Sequence, residues 1–217
     1  MSKSSPELQQ QAKFPFEFHV TVDASVIDFN HYRAICRSIG VKAIVLDLEA
    51  NDTDIRDVMT SSELYGTDDE AFAELARIAE DLESADLAVV RRKIETAPWH
   101  PEAPTEQNGI VMPLGSYFES HFGINILPSE KEHLKQLIDE SDLPNPLHLS
   151  RNAFKQDDDR ITVMATARSY EGVAEDFIAN VADHHRLLSS YFDVDDPIVE
   201  FALFDSNTQH DDEWIAT

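Results

Sequence analysis

One short segment occurs twice in this chain, and the repetition constrains the fold more than any other feature. Phe16-Glu17-Phe18-His19 returns as Phe118-Glu119-Ser120-His121, and similar patterns follow each copy in the same order. Two similar halves tend to pack about a pseudo-twofold axis, in the way that identical subunits pack about a true one. The repetition therefore predicts an internal duplication whose paired Glu and His residues approach one another.

Alternation and helical periodicity predict the same series of elements in each half. Predicted strands cover 15–22, 42–49, 56–63 and 87–95 in the first half, and 117–126, 146–151, 160–168 and 198–204 in the second. Helices are predicted at about 25–39, after a capping box of Thr67 and Glu70, after another of Ser129 and Glu132, and at about 171–189. Each half is thus predicted to be β-α-β-β-α-β, the ferredoxin-like arrangement, in an α+β fold of two tandem halves with pseudo-twofold symmetry.

The same patterns divide the chain into five segments. They are a disordered N-terminus at 1–13, a first half at 14–96, a proline-rich linker at 97–115, a second half at 116–206 and an acidic tail at 207–217. Pro98, Pro101, Pro104 and Pro113 lie in the linker.

The first strand of each half has one apolar and one polar face, because side chains alternate along a strand. Glu17, His19 and Thr21 share the polar face in the first half, and Glu119 and His121 share it in the second. Ionisable groups are costly to bury without partners, so this face needs an explanation. Either the Glu and His side chains are structural pairs across a wet interface, or they converge as catalytic or ligand-binding groups.

Four basic residues are predicted to lie near the ends of strands in the same region: Arg91, Lys93, Arg151 and Arg168. Together they could bind an anionic small molecule. The alternative is that each forms a salt bridge with one of the many carboxylates.

The overall charge limits the partners of the protein. The formal net charge of the 217 residues is −25, and a surface of this sign repels nucleic acids and anionic membranes. The single cysteine, Cys36, cannot form an internal disulfide, which favours a reducing compartment. The sequence therefore predicts a cytoplasmic protein that binds neither nucleic acid nor membrane, and it leaves the oligomeric state open.

The segment His19-Val20-Thr21-Val22 resembles the His-x-Thr-hydrophobic element of the 2H phosphoesterases. Those enzymes are two-lobed and use two such elements to cleave cyclic phosphates or 2′-5′ linkages. The resemblance implies that His19 is an acid or base and that Thr21 holds phosphate.

A second resemblance is to the glyoxalase and extradiol dioxygenase superfamily, in which a His on a first strand and a Glu on a last strand are repeated. It implies that His19, Glu95, His121 and Glu200 are ligands of a divalent metal.

Over nearly its whole length the chain is similar to an uncharacterised group of bacterial proteins. The matching pieces include Lys93-Ile94-Glu95-Thr96-Ala97-Pro98-Trp99 and Leu149-Ser150-Arg151-Asn152. This similarity supports the ferredoxin-like fold and transfers no activity.

The leading functional hypothesis is a polar His/Glu cleft between the halves that binds or transforms a small, anionic molecule. His19 and His121 would act as general acid and base, with Glu17 and Glu119 beside them. The sequence leaves two alternatives open, a non-catalytic ligand- or protein-binding module and a metal-dependent enzyme. The sequence decides neither whether the protein is an enzyme nor whether it holds a divalent metal, and it indicates no other cofactor.

Overall fold

The computed structural model describes residues 12–26, 28–50, 53–152 and 160–211. The prediction of a disordered N-terminus falls mostly on 1–11, and the end of the predicted acidic tail falls on 212–217. Both lie outside the described residues.

The described residues form nine strands and four α-helices. The strands are β1 (Phe14–Val22), β2 (Lys42–Ala50), β3 (Thr53–Gly66), β4 (Val89–Thr96), β5 (Tyr117–Ile126), β6 (His148–Asn152), β7 (Ile161–Ser169), β8 (Asp193–Val194) and β9 (Ile198–Asp205). The helices are α1 (Phe29–Ser38), α2 (Asp68–Ser84), α3 (Lys131–Asp139) and α4 (Ala174–Ser189). The predicted mixed α and β composition is confirmed, and the bounds of the longer strands agree with the predicted ones to within a few residues.

Eight of the strands close into an antiparallel barrel. In the first half the order across the sheet is β4-β1-β3-β2, and in the second half it is β9-β5-β7-β6. This is the ferredoxin-like order in both cases. The halves join along β2–β6 and β4–β9, so the sheet closes on itself, while the short β8 adds to β5 beyond the end of β9. An eight-stranded barrel is wide enough inside for packed side chains or one small ligand.

Two separate apolar cores lie between the barrel and its helices. Phe16, Phe18 and Val20 of β1 belong to one core with the buried faces of α1 and α2. Phe122 and Ile124 of β5 belong to the other, with α3 and α4. Because side chains alternate along each strand, the polar face of β1 and β5 points into the barrel. The predicted division of the first strands into an apolar and a polar face is confirmed.

The two predicted capping boxes have different outcomes. Thr67 Oγ1 accepts a hydrogen bond from the Glu70 amide and Glu70 Oε2 accepts one from the Thr67 amide, so α2 begins as predicted. The box of Ser129 and Glu132 is wrong. A 3-10 turn at Pro128–Glu130 precedes α3, and Glu130 Oε2 instead accepts from the Leu127 amide, at 2.7 Å.

The beginning of the predicted linker packs against the first half. The His100 ring is buried, lies edge-on to Phe14 with centroids 4.5 Å apart, and places Nε2 3.1 Å from Asp68 Oδ1. Within the described part of the chain, no helix has the length and apolar character needed to cross a bilayer.

Candidate functional site

The barrel holds a partly open cavity of about 330 Å³, which we call the barrel cavity. Every one of its eight strands contributes to the lining. Its ionisable lining residues are Glu17, His19, Lys42, Asp57, Arg91, Lys93, Glu119, His121, Arg168, Glu200 and Asp211. Apolar side chains cover part of the wall: Ile44, Leu46, Met59, Met164 and Ile198. His19 and His121, from different halves, therefore line one common cavity.

His19 is held in position through both ring nitrogens. Its Nδ1–H donates to the Thr60 carbonyl oxygen at 3.1 Å, and its Nε2 lies 2.9 Å from Glu95 Oε2 and 3.5 Å from Glu17 Oε1. Burial acts to lower the pKa of His19, but the hydrogen bond and charge of the fully buried Glu95 outweigh it and raise the pKa. A carbonyl oxygen on one side and carboxylates on the other both favour the imidazolium form.

A chain of buried ion pairs crosses between the halves. Lys93 Nζ lies 2.7 Å from Glu95 Oε1 and 2.7 Å from Glu119 Oε1, and Arg168 Nε donates to Glu119 Oε2. Burial opposes ionisation of all of these groups. The charges of Lys93 and Arg168 nevertheless hold the pKa of Glu119 well below its usual range, and the two glutamates raise the pKa of Lys93 well above its own. These side chains are thus fixed as ions.

Arg91 has three partners that the sequence patterns do not predict. Its guanidinium donates to Asp205 at 2.6 Å, to Asp211 at 2.9 Å and to the Tyr117 hydroxyl at 3.1 Å. Asp211 Oδ2 also lies 2.6 Å from Arg168 Nη1. Asp205 and Asp211 are more than 100 positions from Arg91 in sequence, and only their place after the last predicted strand pointed to the region.

Glu200, which is only partly buried, differs from the buried acids Glu95 and Glu119. Its carboxyl group forms no hydrogen bond or ion pair with any residue that the structure describes, whereas Glu95 and Glu119 face cations. Burial raises the pKa of Glu200 to about 8, and the charges of Glu95 and Glu17 act in the same direction. This pKa favours the neutral carboxylic acid at pH 7, a form able to donate a proton into the barrel cavity.

His121 is the more accessible of the two histidines. Its side chain is 29% exposed, against 15% for His19. Nε2 lies 3.0 Å from Glu119 Oε1, and Nδ1 lies 3.0 Å from Thr166 Oγ1. A buried carboxylate on one ring nitrogen fixes the orientation of the imidazole, as in carboxylate–histidine pairs of enzymes.

Thr21 has no hydroxyl counterpart in the second half, where Gly123 takes the equivalent place two residues after the histidine. A Cβ at Gly123 would lie 2.5 Å from Asp195 Oδ2, and the Asp195 amide donates to the Gly123 carbonyl at 2.8 Å. A side chain at this position would require the exposed Asp195 carboxylate to move. The phosphate-binding element that Thr21 suggests is not repeated.

The predicted basic residues differ in placement. Arg91, Lys93 and Arg168 line the barrel cavity, and each faces buried carboxylates. Arg151 does not line it and instead lies 3.3 Å from Asp47, with a side chain 42% exposed. These pairings give no support to the predicted anion-binding role, which stays a prediction.

The predicted metal ligands do not form one cluster. Ligand atoms of Glu95, Glu119 and His121 lie within 4.8 Å of one another, which in principle suits a divalent cation. The Lys93 ammonium, however, lies 2.7 Å from both carboxylates and already balances their charge. A metal ion would have to displace it, so this donor set does not fit a resident divalent metal, and we derive no step through one.

A second concavity, which we call the outer pocket, adjoins one end of the barrel. It measures about 510 Å³ and shares Glu17, Ile198 and Glu200 with the barrel cavity. Glu200 therefore lies at the junction of the two spaces.

Neither a protein-family model nor a curated protein sequence matches this chain. A crystal structure of a "putative monooxygenase" from Lactobacillus acidophilus NCFM is 10% identical, with a TM-score of 0.30, and the match covers 88% of this chain and 93% of that one. Another protein of the same description, from Fusobacterium nucleatum subsp. nucleatum ATCC 25586, is 9% identical with a TM-score of 0.29, over 87% and 91% of the two chains. At these scores the likeness carries no argument, and the resemblances drawn from the sequence remain predictions.

Proposed function

We propose that this protein is an enzyme that transfers protons to and from a small organic molecule bound in the barrel cavity. The observation that carries the proposal is the cavity between the halves, which is lined both by Glu200, without a hydrogen bond or ion pair to a described residue, and by the oriented His121. A volume of about 330 Å³ lies at the small end of the range for ligand sites.

Glu200 is the proposed general acid and His121 the proposed general base. The raised pKa of Glu200 keeps its proton available at neutral pH, and Glu119 orients the His121 ring. His19 is a less suitable base, because its side chain is only 15% exposed, against 29% for His121, and because the hydrogen bond and charge of Glu95 raise its pKa and favour the imidazolium form. Its proposed role is to balance the charge of Glu95, and that of Glu17 is to raise the pKa of Glu200.

The lining also limits the substrate. The three buried cations of the cavity are paired with carboxylates, so an anion would bind to them only by breaking an existing ion pair, and Lys42, the fourth cation of the lining, is exposed. Methionine and aliphatic side chains cover part of the wall. We therefore propose a substrate whose reacting part is uncharged and partly apolar, rather than the anion predicted from the sequence.

Proton transfer can be tested before the substrate is identified. We would incubate the protein in D₂O with a set of small ketones, enols and lactones and follow deuterium incorporation by ¹H NMR. The expected result is exchange at one carbon-bound position with the wild-type chain and a loss of about 100-fold or more with Glu200→Gln, which keeps the shape but cannot donate the proton.

Glu80→Gln is the matched control, because Glu80 is exposed on α2 and lines neither space. Exchange that survives Glu200→Gln at the wild-type rate would overturn the assignment of the acid. Ligands that bind in the cavity without any exchange would support the non-catalytic binding module instead.

The two halves are also proposed to descend from one duplicated unit. Both have the element order β-α-β-β-α-β and the same strand order, and in both the first strand carries a Glu-x-His pair on the cavity side. The departures, such as Gly123, lie where the second half has the additional strand β8.

A further inference from the structure

The outer pocket is bounded by the ends of four neighbouring strands and the start of the linker. Pro15 and Glu17 come from β1, Glu63 and Tyr65 from β3, Glu95 from β4, and Ile198 and Glu200 from β9. Ala97, Pro98 and Trp99 close one side. A molecule in this space would contact Glu200 from outside the barrel cavity.

Large apolar side chains of the outer pocket are exposed. The exposed fractions are 71% for Trp99, 69% for Tyr65 and 60% for Ile198. Isolated exposed apolar residues are ordinary, but exposed aromatic rings grouped around a concavity mark a binding site. Tryptophan and tyrosine faces are also the rings that attract organic cations most strongly.

The charges of the outer pocket have one sign. Its lining contains the carboxylates of Glu17, Glu63 and Glu95, together with Glu200, whose raised pKa favours the neutral acid, and no Lys, Arg or His among the described residues. The charge of Glu95 is balanced by His19 and Lys93, but Glu63 forms no ion pair with a described residue.

We propose that the outer pocket binds an organic cation, a quaternary or protonated amine, between the Trp99 and Tyr65 rings and the Glu17 and Glu63 carboxylates. The binding itself stands on the outer pocket alone. The further assignment, that this cation is the charged end of the substrate whose uncharged part enters the barrel cavity, rests on the proposed function. Because Glu200 adjoins both spaces, such a molecule would be oriented with its reacting part next to the proposed acid.

The probes are choline and its uncharged isostere 3,3-dimethyl-1-butanol, which have nearly the same shape. The chain has two tryptophans, so in the full-length Trp214→Phe variant the fluorescence of Trp99 alone reports binding. We expect a saturable change with choline, an affinity for choline about ten-fold or more above that for the isostere, and a loss of this preference in high salt.

Two substitutions test the chemistry. Glu63→Gln should weaken choline binding by roughly three-fold, while Glu80→Gln, which removes the same charge from an exposed place on α2, should leave it unchanged. Trp99→Leu, measured by calorimetry, should weaken choline about ten-fold. Equal affinity for the two probes, no saturable signal, or equal effects of the two Glu→Gln variants would overturn the proposal.

The outcome is separable from that of the proposed function. Choline binding without proton exchange on any small molecule would leave the cation site standing and remove the enzymatic role. Proton exchange without choline binding would support the enzymatic role and overturn the cation site.

Discussion

Inside the barrel, where the dielectric constant is low, two neighbouring glutamates have different protonation states. Glu119 faces Lys93 and Arg168 and is held as a carboxylate, whereas Glu200, its direct neighbour across the β5–β9 pairing, has no cationic partner among the described residues and is held as an acid. Environment, and not residue type, sets the role of each.

The raised pKa of Glu200 gives a pH dependence of stability with a definite sign. Between its ordinary value of 4.5 and about 8 the folded state binds a proton that the unfolded state has lost. The contribution is therefore present at low pH and is lost as pH rises through 8. In Glu200→Gln, the fall in unfolding free energy between about pH 5 and pH 9 should be smaller by on the order of 3 kcal/mol. Urea unfolding at each pH measures it, and parallel curves for the two proteins would contradict the pKa shift.

Loss of the Glu119 charge should destabilise the fold strongly. Glu119→Gln leaves the Lys93 and Arg168 charges buried with one partner fewer, which costs about 3–5 kcal/mol in other buried pairs. Glu17→Gln is the control, because the Glu17 side chain is 30% exposed and loses only contacts with Ser61 and His19. Chemical unfolding at pH 7 compares the two, and equal losses would show that the ion-pair chain contributes little.

At the scale of elements, the sequence predicted most where a local rule decides the outcome. Alternation identified the long strands and the faces of β1 and β5, and the Thr67–Glu70 capping box identified the start of α2. The capping-box pattern failed at Ser129, because Pro128 begins a 3-10 turn and Glu130, not Glu132, makes the capping contact.

Contacts between distant elements could not be read in the same way. No local pattern indicates that Asp205 and Asp211 meet Arg91, or that β2 pairs with β6, because these depend on how the sheet closes. The meeting of His19 and His121 in one cavity was predictable only because the segment that carries each of them is repeated.

The two candidate caps provide a matched pair of substitutions. Thr67→Ala removes the acceptor of the Glu70 amide and should cost about 1 kcal/mol. Ser129→Ala changes the same kind of group at a predicted cap that does not form, and it should change the unfolding free energy by less than about 0.5 kcal/mol. Thermal or urea unfolding measures both, and a larger effect at Ser129 would contradict the assigned start of α3.

The whole molecule should unfold as one unit although it has two apolar cores. Strand pairs β2–β6 and β4–β9 and the Lys93–Glu119 ion pair join the halves, so neither half can open without exposing the charged lining of the other. We therefore expect Trp99 fluorescence in the Trp214→Phe variant and far-UV circular dichroism to give coincident denaturation curves.

Leu134→Ala sharpens this test. Leu134 is buried in the core of the second half, and its truncation should cost about 2–5 kcal/mol. Trp99 adjoins strands β1, β3 and β4 of the first half in the outer pocket. If the unfolding transition reported by Trp99 fluorescence shifts by the full loss of free energy, the two halves unfold together. An unshifted Trp99 transition would show that the halves unfold independently.

The closure of the barrel by a single polypeptide has an evolutionary consequence. An enclosure assembled from two identical chains would have to repeat every lining residue, and a second copy of the Lys93 ammonium would stand in the same small space. In a single chain each lining position is encoded separately, so a residue of one half can change while the equivalent residue of the other half is kept. Selection can therefore shape the interior for an asymmetric ligand, with one acid, one base and a separate site for a charged end.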